Sequence, residues 1–271
     1  MTRAQWLAGR VAVPYDIRYN SWLHDLNEDA GLIFALALAA QVRDGGGGLA
    51  ATVCSTWVYM NSGTAMRSKI KPLGRTSLPQ IAAANKMVSR TVLLLLVLSA
   101  VGAMWFLEQP QGSLMEFHPR VQWLLHLMPV WKKSFEMSSF GAPTPKRTWV
   151  YSNKPHINGI EDYSVPKTNG VKKQMVKKYK NAKGETKITG GKDLKGSQSY
   201  PDPFGFAILG LMVEHEESLI RDAQKLHAEA AKHAANHAIR LVAHPAQSNK
   251  LDHWVDAELE GCFALLSAGL R

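Results

Sequence analysis

Apolar positions recur at helical spacing through "DAGLIFALALAAQV" (29–42), and the following "RDGGGG" stops the pattern, since four glycines cannot continue a helix cheaply. "GLAATVCSTWVYM" then reads as a strand ending near Cys54, and residues 61–80, with Gly63, Pro72, Gly74 and Pro79, read as a loop. Asn85 to Ser99 has the pattern of a buried helix, Gly102 allows a turn, and "AMWFLE" reads as a short buried strand. "EFHPRVQWLLHLMP" has the spacing of a short amphipathic helix. "KKSFEMSSFGAPTPKRTWVYSN" holds two strands around a Gly-Ala-Pro-Thr-Pro turn. Near the start, Val11 to Val13 forms a short strand-like run followed by Asp16. The alternation of strands and helices predicts an α/β fold with a mostly parallel sheet covered by helices.

The 17 residues between Arg90 and Glu108 carry no formal charge, short of the roughly 20 apolar residues a spanning helix needs. The Gly102 break favours a buried helix and strand over a membrane span. A membrane-associated protein anchored by residues 91–107 remains the lesser reading.

Charge changes the picture after residue 153. Residues 154–196 hold 11 Lys against 4 acids, within a chain of net charge +10. Such a segment is a poor independent core. It suits a polyanionic partner, and nucleic acid, DNA first, is the expectation, with Lys172, Lys173, Lys177 and Lys178 as contacts. The expected organisation is therefore a core over 1–153, a Lys-rich insertion over 154–200 and a helical region over 201–271. Two cysteines, Cys54 and Cys262, make no disulfide framework, and no secretory-type apolar stretch opens the chain. Both point to a reducing intracellular setting, nucleus or cytoplasm. His233 and His237 have the i, i+4 spacing of metal ligands, but no third ligand has matching spacing, so no metal is expected.

Ligands bind beyond the carboxyl ends of strands in open parallel sheets. Cys54 and Glu108, at the ends of consecutive predicted strands, would sit side by side at that rim. With Gln109-Pro110, then Gly141, Pro143 and Arg147, and later Leu194, Tyr200, Pro201, Asp202 and Phe204, this order resembles the cytosine-C5 DNA methyltransferase family over roughly residues 10–215. The resemblance implies a Rossmann-like methyltransferase core. It implies Cys54 as nucleophile, Glu108 as the carboxylate at the base edge and Arg147 as a supporting cation. The Lys-rich segment would take the place of the target-recognition region, and S-adenosylmethionine would be the cofactor. Val53 stands where the family has proline and Gln109 where it has asparagine. No glycine-rich Phe-x-Gly-x-Gly turn precedes residue 10. The core is thus expected to be divergent or incomplete at its N-terminus, with Asp16 and then Asp25 as the candidates for the cofactor ribose. A non-catalytic nucleic-acid-binding module on the same scaffold is the alternative. Asn61, Ser62 and Arg67, in the loop after Cys54, face either substrate or water.

Overall fold

The structure, a computed structural model, describes residues 2–166, 176–182, 184–190 and 199–243. The chain divides into two units, Met1–Glu217 and Ser218–Arg271. In chain order the elements are α1 (Thr2–Leu7), α2 (Asp29–Ala40), β1 (Gly47–Ala50), α3 (Ser62–Ala65), α4 (Pro79–Ala100), β2 (Met104–Pro110), α5 (Pro119–Leu127), β3 (Trp131–Glu136), β4 (Arg147–Ser152), β5 (Val176–Lys180), β6 (Thr186–Gly190) and α6 (Asp202–Ala243).

The first unit is built on a four-stranded sheet in the order β1-β2-β4-β3. Only β1 and β2 pair in parallel; β4 is antiparallel to both β2 and β3. The expected mostly parallel sheet is therefore corrected to a mixed one. The cause lies in the connections. A parallel crossover needs a dozen or more residues, and α4 supplies it between β1 and β2. Between β3 and β4 only ten residues intervene, turned by a 3-10 segment (Met137–Phe140) that Gly141 closes at φ 85°. That link is long enough only to fold the chain back beside itself.

Strand alternation gives β2 two buried faces. Trp105 and Leu107 pack with α4 and α5 through Val88, Val92, Leu95 and Leu124. Met104 and Phe106 point the other way, against Phe140, Ile157, Ile160 and the start of α6 at Phe204, Ile208, Leu211 and Met212. Helices thus cover both faces of the sheet, and one buried strand feeds two cores.

Pro79 at the first turn of α4 suits a helix start, where a missing N–H is harmless. The helix ends at Ala100, and Gly102 (φ 75°) makes the left-handed turn into β2. α4 is the one helix among the described residues long and apolar enough to cross a membrane. Residues 91–107, however, form no single anchor: they are the second half of α4, a turn and the first half of a central strand. The strand expected over Val11–Val13 does not form, and both valines are exposed. Pro14, which has no N–H to give to a ladder, follows them.

α5 has an unusual N-cap. His118 is buried, and its Nδ1 accepts from the Arg120 N–H at 3.2 Å. Burial, aided by the charges of Arg67 and Arg120, holds the imidazole down to about 4 from an ordinary 6.5. The folded protein keeps this ring neutral, while the unfolded chain takes up a proton below pH 6.5. Stability is expected to fall as pH drops from 6.5 towards 4, by on the order of 3 kcal/mol. Urea unfolding at pH 7 and pH 4.5 reads that loss. His118→Asn, which keeps a capping acceptor without the titration, should flatten the dependence.

The second unit is described through the distal part of α6, from Ser218 to Ala243. Its described side chains up to Asn236 are largely exposed, Leu226 at 69% among them. The rest of the helical region expected over 201–271, with Cys262, lies outside the described residues.

Candidate active site

Glu108 comes from an apolar strand, and alternation sends its side chain to the α6 face of the sheet, as it does Met104 and Phe106. It is 3% exposed. A carboxylate so buried needs partners, and it has two. Lys146 Nζ donates to Oε1 at 3.2 Å, and the Tyr200 hydroxyl donates to Oε2 at 2.6 Å. The Lys146 ammonium also lies 5.5 Å from the centre of the Tyr200 ring. Tyr200 sits just before α6, with its ring 5.4 Å from Phe204. Burial, then the Glu108 charge, pushes its phenol upward, so it remains a donor.

Cys54 lies four residues beyond β1 and is half-buried. Its carbonyl accepts from Trp57 N at 2.8 Å and Val58 N at 3.1 Å, which closes a tight turn around it. The loop is pinned from two sides. Gln109 Nε2 donates to the Thr52 carbonyl at 2.8 Å, and Trp57 is fully buried in the core between α4 and α5. Lys146 and Glu108 both act on the Cys54 thiol. Burial raises its pKa, Lys146 lowers it and Glu108 raises it. Cys54 in turn acts on Tyr200. Hydrogen bonds thus gather a carboxylate, an ammonium and a phenol from β2, the loop before β4 and the entry to α6, and the Cys54 thiol, in the loop after β1, feels their charge.

Of the expected catalytic residues, Cys54 feels the charge of Glu108, and Arg147 does not join them. Arg147 opens β4 with an exposed side chain. It pairs with its cross-strand neighbour Glu136 at 3.7 Å, beside an open hollow of about 290 Å3 that also involves Gln111 and Glu161. Lys146, one residue earlier, is the cation on Glu108. Gln109 proves to be a buried clamp, with Ser113 Oγ donating to its Oε1 at 3.0 Å.

Arg67 faces neither substrate nor water. Its guanidinium stacks 3.4 Å from the centre of the Trp57 ring and donates to the Pro72 carbonyl and to Asn85 Oδ1 at 2.8 Å. Asn61 Nδ2 donates to the Ser55 carbonyl, on the wall of a second hollow of about 210 Å3, and Ser62 begins α3.

The residues expected to hold S-adenosylmethionine do not fit it. Asp16 lies in a loop rather than at a strand end, and both its oxygens are taken by Arg18, at 3.0 and 2.7 Å. That arginine lowers the carboxyl below its ordinary range. Asp25 Oδ1 accepts from Asn27 N at 2.8 Å in a local turn. Among the described residues no group of three or more His, Cys, Asp or Glu side chains is arranged to hold a metal.

Lys177 and Lys178 lie on β5, which pairs with β6 as a separate antiparallel ribbon. Both are exposed, as is Tyr179 between Lys178 and Lys180. Lys172 and Lys173 lie outside the described residues.

Comparison of the chain with protein-family models, curated proteins and solved structures found no match.

Proposed function

We propose that this protein is a divergent methyltransferase-like protein of the cytosine-C5 class, on a Rossmann-like scaffold, that keeps the base-handling half of that chemistry. The observation that carries the reading is the buried Glu108 on β2, with a cation and a phenol on its carboxylate, and its charge acting on Cys54 in the loop after the parallel neighbour β1. A thiolate is a competent nucleophile for carbon 6 of a pyrimidine. As the sulfur–carbon bond forms, the carbon 5–carbon 6 double bond moves to carbon 4–carbon 5. The electron pair of the carbon 4–nitrogen 3 bond takes up a proton at nitrogen 3. The proton that the thiol loses is the one that nitrogen 3 gains, and the Glu108 carboxylate would relay it. No step is assigned to the cofactor, because Asp16 and Asp25 are committed to their own neighbours.

A second reading, nucleic-acid binding without catalysis, is favoured by the exposed lysines of the β5–β6 ribbon. Two-stranded ribbons fit the major groove of a duplex, and lysines neutralise phosphates.

One experiment separates the two. A cytosine oligonucleotide carrying 5-azacytosine, whose ring nitrogen makes carbon 6 more electrophilic, is incubated with the protein and the intact mass recorded. A covalent adduct that Cys54→Ala abolishes is expected. Salt-sensitive binding that persists in Cys54→Ala, with no adduct from either protein, would leave the binding module. Calorimetry with S-adenosylmethionine, run alongside, tells whether a methyl donor also binds.

A further inference from the structure

Arg67 is a buried cation with no carboxylate on it. It is 3% exposed. Its partners are the Trp57 ring, the Pro72 and Ile81 carbonyls, Asn85 Oδ1 and Thr56 Oγ1. Its Nε is buried without a hydrogen-bond partner among the described residues. A buried charge is costly unless an opposite charge meets it. The local sequence supplies none. Residues 45–107 hold Arg67, Lys69, Lys71, Arg75, Lys86 and Arg90 and no Asp or Glu.

Beside this cation lies the hollow of about 210 Å3 bounded by Ser55, Thr56, Asn61, Thr64, Gln80 and Ile81, with no acid in its lining. Arg67 stands behind the wall. Its Nη2 is 3.4 Å from Thr56 Oγ1 and 3.4 Å from the Ile81 carbonyl oxygen. Thr56 accepts from the guanidinium and so keeps its own hydroxyl proton to give away. Ser55 and Thr64 bring two more hydroxyls, and Asn61 and Gln80 bring amide donors. The first turn of α4 opens at the same place. Leu78 caps it with no side-chain hydrogen bond, which leaves the positive end of a 22-residue helix uncapped.

We propose that this hollow binds a phosphate-type oxyanion, held by the hydroxyls of Ser55, Thr56 and Thr64 and the amides of Asn61 and Gln80, with Arg67 as the buried counter-charge. The space falls below the ~300 Å3 at which sites for drug-sized ligands begin, so it suits a phosphate group rather than a whole nucleotide. The group comes either as inorganic phosphate or as a phosphate of a nucleic-acid backbone. Such a site needs no chemistry at Cys54, although Ser55 and Thr56 follow that residue directly. Arg67 is a positioning residue here, because it acts through Thr56 and the start of α4.

The test is calorimetric titration of inorganic phosphate into the full chain, with chloride at matched ionic strength as the control. Saturable binding of phosphate and none of chloride is expected. Gln80→Glu puts a carboxylate in the hollow at a helix position that favours one, so the fold should hold while phosphate binding weakens about tenfold. Thr64→Val removes one donor from an exposed position and should weaken binding about fivefold. Arg67→Met should abolish it. Thermal melts verify folding, and the Gln80 and Thr64 variants decide the matter if the Arg67 variant does not fold. Phosphate should also raise the melting temperature of the unaltered chain and leave that of Gln80→Glu in place. Phosphate binding unchanged in Gln80→Glu would put the ion on other cations and overturn the proposal. Absence of saturable binding would overturn it as well. A cytosine oligonucleotide then identifies the source. Loss of phosphate binding in its presence assigns the site to a backbone phosphate, and undiminished binding assigns it to free phosphate. Neither result depends on an azacytosine adduct.

Discussion

Trp57→Ala should destabilise the protein by about 4 kcal/mol, a large share of a domain's marginal stability. Trp57 is fully buried, and three separate structures lean on it. The Arg67 guanidinium lies 3.4 Å from its ring centre, and the His118 ring meets it edge-on at 5.7 Å. Its carbonyl accepts from Leu114 N at 2.9 Å, which ties the loop after β1 to the segment after β2. Removing the indole opens a cavity and leaves a buried guanidinium, already lowered to about 10 by desolvation, without its aromatic partner. Trp57→Phe keeps a ring face for Arg67 and should lose less than half as much. Urea titrations of the three proteins give the comparison. Since Trp57 stands three residues after Cys54, the alanine variant should also expose the thiol to alkylation under conditions where the chain is still folded.

Gly210→Ala should also destabilise, by about 2 kcal/mol, against the direction helix propensity gives. Alanine is better than glycine inside a helix by ~1 kcal/mol. A Cβ at 210, however, would overlap the ring of Tyr163, with the hydroxyl oxygen only 2.7 Å away. The ring has little freedom to move, because that hydroxyl donates to Glu214 Oε1 at 2.5 Å, one turn further along α6. Making room breaks a hydrogen bond to a charged group, worth ~1.5–3 kcal/mol, and adds the strain of overpacking. The discriminating measurement is the thermal midpoint of Gly210→Ala made in a Tyr163→Ala background. There the clash is gone, and the alanine should raise the midpoint.

Much of what places the site is local and was legible in the residues. The uncharged run at 91–107 contains its own punctuation in Gly102, so a helix followed by a buried strand could be read there, and α4 and β2 stand on either side of that glycine. Glu108 after five apolar residues signalled a buried carboxylate. Cys54 feels the Glu108 charge because a helix-length crossover makes β1 and β2 parallel neighbours. What was missed is mostly tertiary. The direction of β4 follows from the short link through Met137–Phe140, a signal that was present and outweighed by the expected strand–helix alternation. The choice between Lys146 and Arg147 turns on which side of the chain faces Glu108. Two prolines in the preceding turn, Pro143 and Pro145, hide that parity. Tyr200 lies 92 residues from its carboxylate partner, and nothing local announces the pair. The Val11–Val13 strand failed because a short apolar run needs a neighbour to pair with, and the one proposed here is followed by Pro14.

The two chemical groups at the heart of the site rest on very different supports. Glu108 belongs to a strand with a neighbour on each side, packed on both faces. Cys54 hangs from β1, an edge strand joined to the sheet by four residue pairs with β2 alone. The site therefore has one wall fixed by a central strand and one held by single anchors at Thr52 and Trp57. Variation between those anchors can retune the reach of the thiol while the carboxylate stays where the sheet puts it. A change at 108 has no such latitude, because it disturbs the central strand, the lysine and the tyrosine together. Any lineage or designer altering what this site accepts has its freedom on the β1 side.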